Sequence, residues 1–180
     1  MKEELIIAGF GGQGVLSMGK ILAYSGIMQG QEVTWMPSYG PEMRGGTANV
    51  TVILSDNKIS SPILSKYDTA IILNQQSMDK FENLVKPGGL LIYDPNGINN
   101  PPTRTDIKIC RIDAINVAAK VGNSKVYNMA VMGAFLKMKP IISFENIDKG
   151  LAKCIPARYA DLISLNKAAI EEGMNAVEEI

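Results

Sequence analysis

A glycine-rich turn directly behind a short apolar run constrains the fold of this 180-residue chain more than any other feature. Leu5–Ala8 form the apolar run, and residues 9–14 read GFGGQG, which has the spacing G-x-G-x-x-G. A continuous apolar run of this length predicts a buried parallel strand. Apolar residues at helical spacing follow from Gly14 to Met28. A strand, a glycine turn and a helix in this order predict the opening of an α/β fold.

The remaining chain continues to alternate between strand and helix patterns. Strands are predicted at residues 32–36, 47–54, 69–73, 90–93 and 107–112, the last being the final strand. Helices are predicted at residues 77–85, 115–121, 128–137, 143–154 and 159–178, with Ser143 as an N-cap. A turn at 55–58 predicts that residues 58–60 pair back as a hairpin, which makes the sheet mixed. We therefore expect residues 1–180 to form one three-layer α/β/α domain with a mixed, mostly parallel sheet that the late helices cover.

The composition excludes several kinds of chemistry. Eighteen basic residues balance 18 acidic ones, so no overall field favours nucleic acid or an anionic membrane. The chain has no histidine, the most common general base and metal ligand. Its two cysteines, Cys110 and Cys154, do not form a C-x-x-C pair, and we expect both to be buried and reduced. We expect no catalytic residue, no metal ligand and no iron–sulfur cluster in this chain alone.

The N-terminal segment is typical of a first strand rather than of a signal peptide, and no apolar run approaches the length of a membrane span. We therefore expect a cytoplasmic protein that does not contact a membrane. The chain has ten methionines, and together with the apolar helix at 128–137 they have two interpretations. They form surfaces that pack against partner chains, with a possible homodimer, or they fill the core.

The glycine turn has three interpretations. It is suited to an anion, because glycines let a phosphate approach the backbone and the helix that follows presents free N–H groups. A dinucleotide site also requires an acidic residue at the end of the second strand, where this chain has Met36-Pro37-Ser38. The segment LVKPGGLLIYD is also compatible with a methyltransferase. In the third interpretation, the glycines only permit close packing of strand and helix.

A second glycine-rich stretch, PSYGPEMRGGTANV, begins at Pro37. Arginine is the side chain best suited to bidentate contacts with phosphate or carboxylate groups, and here Arg44 lies in a backbone that contains three glycines. The loops after the first and second strands end at the same edge of the sheet, so we expect them to lie side by side. In the alternative interpretation, Arg44 pairs with Glu42 or Asp94 in a structural network.

Together, AGFGGQGVLSMGKILAYSG and PSYGPEMRGGTANVTVILSD resemble the gamma subunit of the 2-oxoacid:ferredoxin oxidoreductases, and the resemblance extends over nearly the whole chain. The stretches IILNQQSMDKF and VKPGGLLIYD are also similar to that family. The resemblance implies a subunit of a multi-subunit enzyme that decarboxylates a 2-oxoacid oxidatively. It implies that coenzyme A takes the acyl group and that ferredoxin takes the electrons.

The resemblance also implies a division of cofactors and partners. Thiamine diphosphate, a magnesium ion and iron–sulfur clusters are expected in the partner subunits, which are thiamine diphosphate-binding, alpha and ferredoxin-like chains. This chain is expected to help bind coenzyme A and to close the site. The residues that match the family's first motif are Gly9, Gly11, Gly12, Gln13 and Gly14. Those that match its second motif are Tyr39, Gly40, Pro41, Glu42, Arg44, Gly45 and Gly46.

Overall fold

A seven-stranded mixed sheet with strand order β2-β3-β1-β4-β5-β6-β7 forms the centre of the computed structural model, which describes residues 1–38 and 47–180. The strands are β1 (Lys2–Phe10), β2 (Glu32–Ser38), β3 (Thr47–Ser55), β4 (Tyr67–Ile72), β5 (Val85–Tyr93), β6 (Lys108–Arg111) and β7 (Glu178–Glu179). The helices are α1 (Val15–Met28), α2 (Gln75–Phe81), α3 (Ala114–Val121), α4 (Tyr127–Met138), α5 (Phe144–Cys154) and α6 (Asp161–Ala176). The predicted α/β fold with a mixed sheet is therefore confirmed.

The two faces of the sheet are covered very unequally. Alternate residues of β1 point to opposite sides, so that Leu5 and Ile7 pack under α1, α3, α4, α5 and α6. On the other side, Ile6 and Ala8 pack with α2, which contributes Met78 and Phe81. The late helices cover the sheet as predicted, but they lie on one face only.

The sheet is mixed for a reason that differs from the predicted one. Residues 58–60 form no strand, so the predicted hairpin after β3 is wrong. Instead, β3 lies between β1 and β2 and runs antiparallel to both, while β4, β5 and β6 run parallel to β1. The strand at 108–111 is not the final one either, since β7 adds to it in antiparallel orientation. Its two residues, Glu178 and Glu179, carry no apolar pattern that sequence reasoning could detect.

Two glycines allow the closest contact in the helical layer. A Cβ atom at Gly133 of α4 would overlap the backbone oxygen of Ile170, and one at Gly173 of α6 would overlap the backbone oxygen of Ala130. The two helices therefore touch backbone to backbone. Helix α4 is buried from Met129 to Leu136, so its apolar surface serves the core and is not a partner surface. The methionines at 18, 78, 129 and 132 likewise fill the core.

Charged residues are concentrated at the amino end of β1. Glu3 is buried and accepts hydrogen bonds from Thr69 and, at 3.2 Å, from Lys139 Nζ. Burial raises the pKa of Glu3, and these partners offset only part of that effect. Burial acts on Glu4 in the same direction, but Lys2 and Lys86 outweigh it and lower the pKa of Glu4.

Candidate functional site: the glycine turn and the crevice beside it

The crevice between β1 and β4 is the topological switch point of the sheet. The two strands are parallel neighbours, but β1 leads into α1 on one face and β4 leads into α2 on the other. Connections that diverge in this way leave an opening outside the carboxyl ends of the strands, where α/β proteins bind ligands. The glycine turn at 9–14 lies at this opening.

The turn at 9–14 reverses the chain with two left-handed glycines. Gly12 has φ of 96° and Gly14 has φ of 73°, a region that other residues rarely adopt. The Gln13 N–H donates to the Phe10 carbonyl oxygen at 3.2 Å and closes the turn. Gly14 is the N-cap of α1, and it has no side chain that could cap the free N–H groups of the first helical turn. The backbone N–H groups at the start of α1 are the predicted anion donors, and no side chain of the N-cap residue bonds to them.

The Gln13 side chain occupies the crevice itself. Its Oε1 accepts a hydrogen bond from the Phe10 N–H at 2.6 Å, and its Nε2 donates to the carbonyl oxygen of Leu73 at 3.2 Å. Leu73 in turn donates its N–H to the Ala8 carbonyl oxygen at 2.9 Å. A Cβ atom at Gly9 would lie 2.5 Å from Gln13 Oε1, so Gly9 makes room for this amide. Gln13 and Gly9 thus hold the turn against β4.

Exposed glycines line a cavity on the other side of the turn. It has a volume of about 330 Å³, and its lining includes Gly11, Gly12, Gly14, Ser17 and Ala48. Gly11 and Gly12 are exposed, and the cavity reaches the first turn of α1. Of the matched residues in the first motif, Gly11, Gly12 and Gly14 face this cavity, while Gly9 and Gln13 face the crevice.

The second motif, with Tyr39, Arg44, Gly45 and Gly46, lies outside the described residues. Its flanking residues are described, however, and they place both ends of the segment. Ser38 ends β2 opposite Asn49, and Thr47 begins β3 opposite Phe10. The segment between them therefore leaves and re-enters the sheet at the same edge as the glycine turn.

The geometry at β2 is unfavourable for a dinucleotide. In the dinucleotide fold the second strand lies next to the first, and its end holds the ribose through an acidic residue. Here β3 separates β2 from β1, and β2 ends in Pro37 and Ser38. Neither the spacing nor the residue type needed for a ribose contact is present at this position.

Asp94, which the sequence suggested only as an alternative partner for Arg44, follows directly after β5. Asp94 is fully buried, and its Oδ1 accepts hydrogen bonds from Asn96 N at 2.9 Å and Asn96 Nδ2 at 2.7 Å. Its Oδ2 has no partner within hydrogen-bonding distance in residues 1–38 and 47–180. Burial and the nearby Asp94 carboxylate raise the pKa of Tyr127, so that its hydroxyl stays protonated. These side chains border a cavity of about 200 Å³ beside Gln13.

Helix α4 contacts the glycine turn through Asn128, whose Nδ2 donates to the Gly14 carbonyl oxygen at 3.2 Å. The two residues are 114 positions apart, so no local pattern in the sequence could have identified the contact.

Cys110 is buried and Cys154 is partly buried, and both are free thiols. The part of the chain that the structure describes contains no group of three residues able to hold a metal ion. None of its helices has the length and apolarity needed to cross a membrane.

Comparison with known proteins gives one family. Residues 4–176 match the sequence model described as Pyruvate ferredoxin/flavodoxin oxidoreductase. The ketoisovalerate oxidoreductase subunit VorA of Methanothermobacter thermautotrophicus is 32% identical over 173 residues, which cover 96% of this chain and 36% of that relative. The chain thus spans about a third of the length of this relative.

Two solved structures have the same fold. The gamma subunit of a keto/oxoacid ferredoxin oxidoreductase from Geobacter sulfurreducens is 28% identical with a TM-score of 0.84, and the match covers 98% of this chain and 96% of that chain. A 2-oxoglutarate:ferredoxin oxidoreductase from Magnetococcus marinus was solved with 2-oxoglutarate, coenzyme A and succinyl-CoA bound. It is 22% identical with a TM-score of 0.86, and the match covers 97% of this chain and 31% of that chain.

Proposed function

The chain belongs to the pyruvate ferredoxin/flavodoxin oxidoreductase family, and we propose that it is the gamma subunit of a multi-subunit 2-oxoacid:ferredoxin oxidoreductase. The observation that carries the proposal is the match to a gamma subunit over nearly the full length of both chains. The longer relative supports the same assignment, because a chain that spans a third of it corresponds to one part of a larger enzyme.

The proposed enzyme decarboxylates a 2-oxoacid, transfers the acyl group to coenzyme A and passes two electrons to ferredoxin. Thiamine diphosphate with its magnesium ion and the iron–sulfur clusters supply the decarboxylation and electron transfer, and we assign them to partner subunits. The described residues of this chain do not fit these groups, since they offer no cluster of potential metal ligands. For the oxoacid we favour 2-oxoglutarate or a branched-chain oxoacid, the latter supported by the ketoisovalerate relative.

Within that enzyme, the glycine turn is proposed to bind a phosphate of coenzyme A. Gly11 and Gly12 expose their backbone beside the uncapped start of α1, and the helix dipole contributes about 0.3–2 kcal/mol at such a position. Arg44 from the second motif would add a charge-assisted contact of about 1.5–3 kcal/mol. Support for this part comes from the position of Ser38 and Thr47, which bring both ends of the second motif to the edge of the sheet where the turn lies.

The test is Arg44→Ala in the enzyme reconstituted with its partner subunits, assayed separately against coenzyme A and the oxoacid. We expect the KM for coenzyme A to rise about ten- to a hundredfold, because 1.4 kcal/mol corresponds to a factor of ten. The KM for the oxoacid should change little. Lys137→Ala, on the exposed end of α4, controls for loss of a positive charge elsewhere. Unchanged coenzyme A kinetics in an intact complex would reject the phosphate contact.

Two other functions make different predictions for the same preparation. If the loops only pack against partners, Arg44→Ala abolishes assembly, and both motifs are then reassigned to a subunit interface. A stand-alone nucleotide-binding enzyme would be active without partners, but the insertion of β3 between β1 and β2 disfavours the dehydrogenase form of that function. We expect the isolated chain to lack redox activity and to show no iron–sulfur absorbance, and a stoichiometric chromophore on this chain alone would contradict the proposal.

A further inference from the structure

A second cavity, distinct from the glycine turn, lies between α1, α4 and the segment from Cys154 to α6. Its volume is about 440 Å³, and it begins at Ser17, the residue that also borders the cavity at the glycine turn. The floor is apolar and includes Ile21 and Met129. We name it the Lys20–Lys125 cavity after the two basic residues that line it.

The charges around this cavity are of one sign. Lys20 and Lys125 line it, and its lining contains no aspartate or glutamate. Neither lysine forms an ion pair with any residue in the described ranges 1–38 and 47–180. Lys20 Nζ also lies 6.0 Å from the centre of the Tyr24 ring, a contact that leaves its charge in place. In a chain with a formal net charge of zero, a concave surface with two lysines and no acidic lining residue favours an anion over a cation or a neutral ligand.

The remaining lining residues limit the shape and polarity of that anion. Tyr159 and Leu162 are 47% and 40% exposed at the edge of the cavity. The Arg158 guanidinium lies over one face of the Tyr159 ring, 4.9 Å from its centre, so only the opposite face is open to a ligand. Three amide side chains lie among them, those of Asn123, Asn128 and Asn166. A flat aromatic body with hydrogen-bonding edges suits this combination, because it can stack on the tyrosine ring and pair with the amides. Each amide already bonds within the chain through one atom, because Asn123 Oδ1 accepts from Lys125 N, Asn128 Nδ2 donates to the Gly14 carbonyl oxygen and Asn166 Nδ2 donates to the Leu162 carbonyl oxygen. The other amide atom of each has no partner in residues 1–38 and 47–180 and is the one that a ligand could use.

We propose that the Lys20–Lys125 cavity binds a nucleoside phosphate, with its phosphate between the two lysines and its base against Tyr159 and Leu162. Coenzyme A contains a nucleoside phosphate at one end. If coenzyme A is the ligand, this inference rests on the proposed function, and the surface that binds coenzyme A extends from the glycine turn past Ser17 into the Lys20–Lys125 cavity. A nucleotide could also occupy the cavity in the isolated chain. The test is therefore made on the isolated chain, where its outcome does not depend on assembly or turnover.

Cys154 supplies a reporter within the cavity. It lines the cavity and is partly buried, whereas Cys110 is completely buried in β6. Under native conditions a small alkylating reagent should therefore modify Cys154 alone. Burial raises the pKa of Cys154, so the reaction is followed at mildly alkaline pH, where a larger fraction is thiolate. A ligand in the cavity should slow the reaction in proportion to its occupancy.

The probe is adenosine 3′,5′-bisphosphate, titrated while the alkylation rate of Cys154 is measured by mass spectrometry. We expect saturable protection, with a half-saturating concentration that rises about tenfold in Lys20→Gln and in Lys125→Gln. Lys137→Gln, an exposed lysine outside the cavity, should leave it unchanged. Inorganic phosphate and adenosine should each protect only at much higher concentration.

Three results would overturn the inference. The first is that adenosine 3′,5′-bisphosphate does not slow the alkylation of Cys154. The second is that it protects Cys154 equally well in the wild type, Lys20→Gln and Lys125→Gln. The third is that inorganic phosphate alone protects Cys154 as well as the bisphosphate does. Circular dichroism of each variant confirms that the fold is retained. The glycine-turn proposal is unaffected by these outcomes, because Arg44→Ala and the turn residues lie outside this cavity.

Discussion

The side chain of Asn128 occupies the space that a Cβ atom at Gly14 would need. A Cβ atom there would overlap the Asn128 amide, and Gly14 also has φ of 73°. Gly14→Ala therefore combines backbone strain of about 1–3 kcal/mol with a steric clash, and we expect the free energy of unfolding to fall by more than the strain alone. Gly12 is the matched control, because its φ is 96° but nothing lies within 4 Å of an added Cβ.

A double-mutant cycle separates the two contributions. Asn128→Ala removes the clashing side chain, so the combination with Gly14→Ala should cost less in unfolding free energy than the two single changes added together. Denaturant unfolding of the four proteins measures this coupling. Additive effects would show that Asn128 does not restrict position 14.

Gln13 is predicted to be a structural residue of the turn. Gln13→Leu removes the hydrogen bonds to the Phe10 N–H and the Leu73 carbonyl oxygen, and it leaves the partly buried Leu73 carbonyl oxygen without this partner. We expect the free energy of unfolding to decrease by about 1–3 kcal/mol. Gln76→Leu, at an exposed position in the first turn of α2, is a control for the change of residue type. A variant as stable as the wild type would mean that the amide is not needed to close the crevice.

The contact between α4 and α6 gives a third prediction. Gly133→Ala and Gly173→Ala each place a methyl group against a backbone carbonyl of the opposite helix, and neither backbone can move without shifting its helix. Overpacking of this kind costs about 1–3 kcal/mol, against a gain of about 0.5–1 kcal/mol in helix propensity. We therefore expect each variant to unfold at a lower midpoint temperature than the wild type. Glu172→Ala, at an exposed neighbouring position, should be close to neutral.

The neighbouring acids of β1 should respond to pH in opposite ways. Glu4 has a pKa lowered from 4.5 because Lys2 and Lys86 outweigh its burial, so its stabilising effect is present above that value and is lost as the pH falls through the lowered pKa. Glu3 has a raised pKa, chiefly from burial, so its ionisation reduces stability as the pH rises above 4.5.

The measurement is the free energy of unfolding of Glu3→Gln and Glu4→Gln between pH 3 and pH 7. Relative to the wild type, Glu4→Gln should be destabilising at neutral pH, and the difference should narrow in acid. The wild type should instead lose stability relative to Glu3→Gln as the pH increases. Parallel profiles for the two variants would contradict the assigned environments.

Local patterns in the sequence were sufficient for most elements. The apolar run at 5–8, the cap at Ser143 and the buried helix at 128–137 depend on neighbouring residues, and they occur where predicted. The order of the strands depends on pairing between distant segments, and no local pattern indicated that β3 would enter between β1 and β2. Gln13 is a similar case. The sequence showed that Gln13 belongs to the glycine motif, but it could not show the hydrogen bond to Leu73, because that bond depends on how β1 and β4 pair.

The contacts that shape the glycine turn have a consequence for the order of folding. Gln13 reaches a partner 60 residues away, and Gly14 accepts a bond from a residue 114 positions away. Contacts that close such long loops carry a large entropic cost and form after local structure in most small domains. The turn should therefore acquire its final shape only after β4 has joined β1 and α4 has docked. In pulsed hydrogen exchange during refolding, the amides of α1 should become protected before the Phe10 amide that Gln13 binds.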